Sequence, residues 1–210
     1  MKITLIGDSI RQQYEPRVRE LLGEEYNVFA PVENCRYAKH SLRGMWDWKE
    51  DMQGSRIVHW NNGLWDICDI LGDGKMFTSV EEYVENMLRL ADVLLKRHDI
   101  VIFATTTPVT ELNNYNKTSE IKKYNDILVP ELVKRGVIIN DLFSLIAADI
   151  DRYLSDDNIH LSELGIELAA QAVAQKILEA AKLLPQTSKT VESEVLTDGN
   201  GAPIIMKGYN

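Results

Sequence analysis

Ile100-Val101-Ile102-Phe103-Ala104 is a run of five apolar residues with no polar alternation. A strand that shows one face to water alternates polar and apolar side chains, so an unbroken run of this kind reads as a strand covered on both faces. We take it to extend to Thr105. Working outward, four more short runs carry strand composition: Lys2–Ile6, Tyr26–Ala30, Arg56–Trp60 and Val137–Asn140. Segments of helical spacing lie between them. Gln12–Leu22 places Val18, Leu21 and Leu22 on one side. Ser79–Lys96 opens with Ser79 and Glu82 at capping-box spacing and repeats Val80, Tyr83, Met87, Ala91 and Leu94 at helical intervals. Lys117–Arg135 ends at Gly136, a C-cap signal, despite the internal Pro130. Ser162–Leu184 closes the series. Repeated strand–helix alternation requires crossover connections, hence parallel strands with helices on both faces. The predicted fold is α/β: a three-layer αβα sandwich on a five-stranded parallel sheet of flavodoxin-like order. Functional residues are then expected in loops after the carboxyl ends of the strands.

A chain of 210 residues, 45% hydrophobic and 26% charged, suits one domain with a real core. That domain is read over residues 1–184. Residues 185–210 turn polar and aperiodic and are read as a tail or docking arm, with Ala202-Pro203-Ile204-Ile205-Met206 favouring partial docking. The net charge of −9, with no Lys/Arg run longer than two, argues against a nucleic-acid partner, which needs clustered cations, and disfavours an anionic membrane surface. No apolar segment reaches membrane-spanning length. Cys35 and Cys68 lack CxxC or His neighbours at metal spacing, so no metal is expected, and low cysteine usage favours two reduced, packed thiols over the alternative of a disulfide between them. The chain opens on a strand-like run instead of a basic segment followed by an apolar one. A cytoplasmic location is expected as it stands, and a secreted one had a leader been removed.

The first strand runs into Gly7-Asp8-Ser9-Ile10. A serine between a strand's carboxyl end and a helix can expose its hydroxyl at the sheet edge, next to free helix N–H groups suited to an oxyanion. The motif alone is weak, because Ser9 could be a plain helix cap. A serine hydroxyl needs a base, and the base an orienting carboxylate. Asp157-Asn158-Ile159-His160 offers both at a spacing of three, just before the last helix, although His160 alone could be a surface or capping histidine. Asp8 reads as a turn-fixing carboxylate. His59 reads as a core residue, His98 as opening a strand at the surface, and His40 as a candidate for lining the cleft. Trp46, Trp48, Trp60 and Trp65 fall around the same loops. Indole faces at a cleft suit sugar rings, although tryptophan is often only core.

The two motifs, in this order and on this layout, resemble those of the SGNH (GDSL-like) hydrolases, over roughly residues 2–184. The resemblance implies ester hydrolysis by a catalytic triad of Ser9, Asp157 and His160, through an acyl-enzyme and without a cofactor. It also implies oxyanion donors from the backbone of Ser9, from a second-block glycine and from a third-block asparagine. Gly44 is the glycine candidate, with a bare turn glycine as the alternative. The third block departs from the usual Gly-x-Asn-Asp: His59-Trp60-Asn61-Asn62-Gly63-Leu64-Trp65-Asp66 puts Trp65 where the asparagine should be. Asn61, at the strand end, is the natural substitute donor, with Asn62 as the alternative and a loop role open for both. The implied substrate is a small-molecule or carbohydrate ester, an acetyl ester of a sugar among them. An acyltransferase with the same triad and a non-catalytic binding module on this fold are the rival readings.

Overall fold

Five parallel strands form one sheet in the computed structural model, which describes residues 1–187. They are β1 (Lys2–Ile6), β2 (Asn27–Phe29), β3 (Ile57–Trp60), β4 (Ile100–Ala104) and β5 (Ile138–Asn140), in the spatial order β2-β1-β3-β4-β5. Every pair is parallel, and Ile6 of β1 stands beside Trp60 of β3. The order is flavodoxin-like, with its topological switch at the β1/β3 pair, where chain connections leave in opposite directions and open a crevice. Val101, Ile102, Phe103 and Ala104 are all buried, as a strand sandwiched between helix layers must be.

Seven helices flank the sheet among the described residues: α1 (Ser9–Leu22), α2 (Ala38–Asp47), α3 (Val80–Arg97), α4 (Thr118–Lys134), α5 (Leu142–Ala147), α6 (Ile150–Tyr153) and α7 (Glu163–Ala181). α1 packs on α7, which also meets α5 and α6. On the other side α3 packs between α2 and α4. The local signals act as their chemistry dictates. Ser79 Oγ accepts the Glu82 N–H at 3.2 Å, and Ser162 Oγ accepts that of Gly165 at 3.1 Å. Gly136 takes φ of 86° just past α4, a left-handed turn that costs glycine little.

Three features differ from the sequence expectation. α1 begins at Ser9, three residues early, because Asp8 caps it by accepting the Ile10 N–H at 3.0 Å. Residues 38–47 form a helix where a loop was expected. Its first N–H, on Ala38, is taken by Asp66 Oδ2 at 2.9 Å, so a carboxylate from the β3–α3 connection starts it. His98 is buried, with Nδ1 2.7 Å from the Ser55 carbonyl oxygen, and does not lie at the surface. Cys35 and Cys68 are free, buried thiols. Arg56 Nη2 donates to the Pro185 carbonyl at 2.7 Å. Residues 188–210, with the 202–206 stretch, lie outside the described residues. Among the described residues, no helix is long and apolar enough to cross a membrane.

The α2 finding corrects the role assigned to Gly44. Six residues into the helix, its N–H belongs to the helical ladder and is not free to meet an oxyanion. Close packing accounts for the glycine instead: a Cβ there would lie 2.2 Å from the Trp48 ring, which is fastened by its indole N–H to Glu33 Oε1 at 2.7 Å. Two effects compete in Gly44→Ala. Helix propensity favours alanine by about 1 kcal/mol, while overpacking against a pinned ring costs about 1–3 kcal/mol. The clash should win. Urea unfolding is expected to show the variant less stable than the wild type, and a gain in stability would mean Trp48 moves freely.

Candidate active site

β1 delivers Ser9 to the carboxyl edge of the sheet, at the first position of α1. The N–H groups of a helix's first turn have no intrahelical acceptor, so this end of α1 is electropositive. The connection between α6 and α7 brings the other two groups. Leu154 and Leu161 form an isolated antiparallel bridge, and Ser155 N–H donates to the His160 carbonyl at 2.8 Å, closing the segment into a tight loop. Asn158 takes φ of 71° at its tip. There its side chain accepts from Thr110 Oγ at 2.7 Å, and its carbonyl accepts the Thr110 N–H at 3.2 Å.

This loop sets His160 Nε2 2.8 Å from Ser9 Oγ and His160 Nδ1 2.6 Å from Asp157 Oδ2. Burial pushes the Asp157 carboxyl up, but the His160 backbone N–H and ring, the Ile159 N–H and the Ser155 hydroxyl outweigh it. They hold the group well below the usual carboxylate range. An ionised Asp157 can only accept, so the ring donates its Nδ1–H to Oδ2, the tautomer that leaves Nε2 to accept from the serine hydroxyl. Ser9, His160 and Asp157 are thus brought together as one chain of hydrogen bonds.

Gln13, which the sequence reading did not single out, completes this geometry. It lies one helical turn from Ser9, on the same face of α1. Its amide pairs twice with the Leu161 backbone: Oε1 accepts the N–H at 3.0 Å and Nε2 donates to the carbonyl at 3.2 Å. Leu161 adjoins His160, so one helix carries both the hydroxyl and the clamp that holds the imidazole against it. Reading α1 from Ser9 would have placed Gln13 at the i+4 position. Ser9, Gln12, Gln13, Ser155, Asp157, His160 and Leu161 line an open cleft of about 460 Å³.

Beneath Ser9 the groups are buried. Asp8 Oδ1 accepts both the Ile10 N–H and the Asn61 amide, the latter at 2.8 Å, across the β1/β3 crevice. Burial pushes the Asp8 carboxyl from an ordinary 3.8 up to about 6, against the lowering effect of Asn61, Ile10, Arg11 and His160. Asn62 faces elsewhere: its amide nitrogen donates to the Arg36 carbonyl at 2.8 Å, and its own carbonyl accepts from Tyr83 and Thr106. Asp66 serves the start of α2, as described. Of the tryptophans, Trp48 and Trp60 are core, Trp46 is half-buried under Lys49, and Trp65 is 44% exposed. The β3–α3 and β4–α4 connections are stapled by Asn116, whose Nδ2 donates to the carbonyls of Leu64 and Ile67, both at 2.8 Å. His59 lies in the core, its ring pushed down to a pKa of about 3 by burial and therefore neutral. His40 is half-buried in α2 between Tyr37 and Trp48 and is absent from the cleft lining.

No family model matches the chain, and no curated protein matches it. Solved structures do. The lipase/acylhydrolase from Enterococcus faecalis is 18% identical, over 89% of this chain and 98% of that one, at a TM-score of 0.71. A catalytic mutant of an acetylxylan esterase from Geobacillus stearothermophilus is 16% identical over 84% and 93%, also at 0.71. A GDSL-like lipase from Bacteroides thetaiotaomicron is 12% identical over 85% and 88%, at 0.68. The chain shares the αβα fold of these proteins.

Two outcomes follow from the hydrogen bonds around Ser9. The raised Asp8 pKa means that its favourable contribution to folding is complete below about pH 4 and is lost as pH rises through about 6. Asp8→Asn keeps the acceptor and removes the charge. Relative to wild type, it should gain about 2–3 kcal/mol of unfolding free energy between pH 4 and pH 8. A stability difference that does not change with pH would mean Asp8 titrates normally. Gln13→Ala should lower the reactivity of Ser9 towards a fluorophosphonate by about tenfold, measured as a labelling rate, and an unchanged rate would make the clamp dispensable.

Proposed function

We propose that this chain is a serine-dependent carboxylic-ester hydrolase of the SGNH (GDSL-like) type. The observation that carries the proposal is the Ser9–His160–Asp157 relay, closed at 2.8 and 2.6 Å on the carboxyl edge of the sheet. Ser9 Oγ attacks the ester carbonyl while His160 Nε2 takes its proton. Asp157 holds the Nδ1–H and stabilises the imidazolium. The tetrahedral oxyanion is met by the Ser9 N–H at the start of α1 and by the Asn61 amide, which has a second N–H beyond the one given to Asp8. Collapse expels the alcohol, which receives its proton from His160 and leaves an acyl-enzyme. Water, deprotonated by the same imidazole, then attacks the acyl carbonyl, and the second collapse returns the acid and free Ser9. The balance closes without a cofactor.

Carbohydrate acetyl esters are the substrate class we favour. Gln12, Gln13 and Ser155 place amide and hydroxyl groups in the cleft beside Leu161, and a polyhydroxylated alcohol can use them as hydrogen-bond partners. Acetylxylan esterases are among the proteins that share the fold. Trp65 is exposed but does not line this cleft, so the tryptophans add no support for a sugar.

Wild-type protein should hydrolyse p-nitrophenyl acetate and label at Ser9 with a fluorophosphonate. Ser9→Ala should lose both, with its thermal midpoint unchanged, because a half-buried hydroxyl contributes little packing. Asp157→Asn should lose about a thousandfold or more by fixing the wrong imidazole tautomer. Failure of the wild type to label would leave a binding module on this fold.

A further inference from the structure

Tyr14 is fully buried in α1, and its hydroxyl is not solvated: it donates to Asn61 Oδ1 at 3.2 Å. We propose that Tyr14 is a positioning residue for the oxyanion donor, holding the Asn61 amide in the one orientation that leaves an N–H for the substrate. The inference rests on the reading of Ser9 as nucleophile and of Asn61 as donor.

The two ends of a carboxamide are nearly equal in size, so only their partners decide which end faces which way. Here the partners are complementary. Asp8, once ionised, is acceptor-only and takes Nδ2–H at 2.8 Å. The Tyr14 phenol is kept protonated by burial and gives its proton to Oδ1. A flipped amide would set Oδ1 against the Asp8 carboxylate, lone pair to lone pair. The donor from Tyr14 and the acceptor from Asp8 therefore select the same rotamer from opposite ends. The seat is narrow as well: a Cβ on Gly7 would lie 2.0 Å from Asn61 Oδ1, so only glycine admits the amide here. The Asn61 N–H is fastened to the Ile6 carbonyl at 3.0 Å, which fixes the backbone beneath the side chain. Tyr14 has its own support, because the neutral His59 ring meets it edge-on at 6.1 Å and 85°, and Asn140 Nδ2 lies 3.3 Å from His59 Nε2. A line of buried groups thus runs from β5 through β3 and α1 to the point above which the oxyanion forms. Asn61 itself is 5% exposed.

Tyr14→Phe removes one oxygen from the interior. With p-nitrophenyl acetate its kcat should fall about tenfold with KM within twofold of wild type, because the oxyanion exists only in the transition state. Affinity for a boronic acid, which forms a tetrahedral adduct on the serine, should fall by a similar factor. The decisive measurement is a double-mutant cycle: in an Asn61→Ala background, Tyr14→Phe should have no further effect on kcat. Wild-type kcat in Tyr14→Phe, or equal losses with and without Asn61, would overturn the positioning role. Gly7→Ala, which intrudes on the same amide from the other side, should reproduce the loss of boronate affinity. If the wild type neither hydrolyses nor labels, the esterase reading itself falls. If it reacts and the cycle is additive, only the role of Tyr14 falls.

Discussion

A carboxylate buried at the junction of β1, β3 and α1 sets the terms for the rest of the site. Asp8 is 1% exposed, and a buried charge must be met by donors held in place. Two meet it, the Ile10 N–H of the first helical turn and the amide of Asn61 from the neighbouring strand's end. The first fixes where α1 begins, and so places Ser9 at its opening position. The second ties that position to β3, and works only because β1 and β3 are adjacent and parallel. Arg11 draws in a third element, since its guanidinium reaches the carbonyls of Gly7 and Glu33 and joins the turn to the β2–α2 connection. The topological switch of the sheet becomes a chemical site through one unfavourable burial and the bonds that offset it.

Rigidity is distributed unevenly about Ser9. Below it Asp8, Asn61 and Tyr14 are buried and hydrogen-bonded to one another, whereas Asp157 is half exposed and His160 about one third exposed. The exposed half keeps its shape through short-range bonds within the loop and through the Gln13 amide, which imitates a neighbouring strand. Each such hydrogen bond contributes only about 0.5–1.5 kcal/mol net. In the proposed mechanism their value is geometric, because proton transfer between Ser9 and His160 would depend on distance far more steeply than folding stability does.

The strands, the sheet order and the long helices were legible because burial on two faces leaves an unbroken apolar signature, and helical spacing with Ser caps marks the rest. The pairing of Ser9 with Asp157 and His160 was readable only jointly, since each motif alone is common. α2 escaped because Gly44 and Ser41 weaken its local preference, and its start depends on Asp66, a contact made at long range. Setting the start of α1 at Gln12 in place of Ser9 hid Gln13 and Tyr14. Their importance lies in sharing a helix register with Ser9. Polar residues inside a helical pattern carry no label that separates a clamp from a solvated face.

Asn116 reaches from one rim loop into the other, and its partners are the main-chain carbonyls of Leu64 and Ile67. Any amino acid at those positions would present the same oxygens. The outline of the rim is thereby decoupled from its chemistry: Trp65, Ile70, Leu71, Phe77, Leu112 and Tyr115, all exposed on these two connections, can be exchanged without unfastening the joint. A scaffold jointed in this way can change its surface vocabulary without changing its frame.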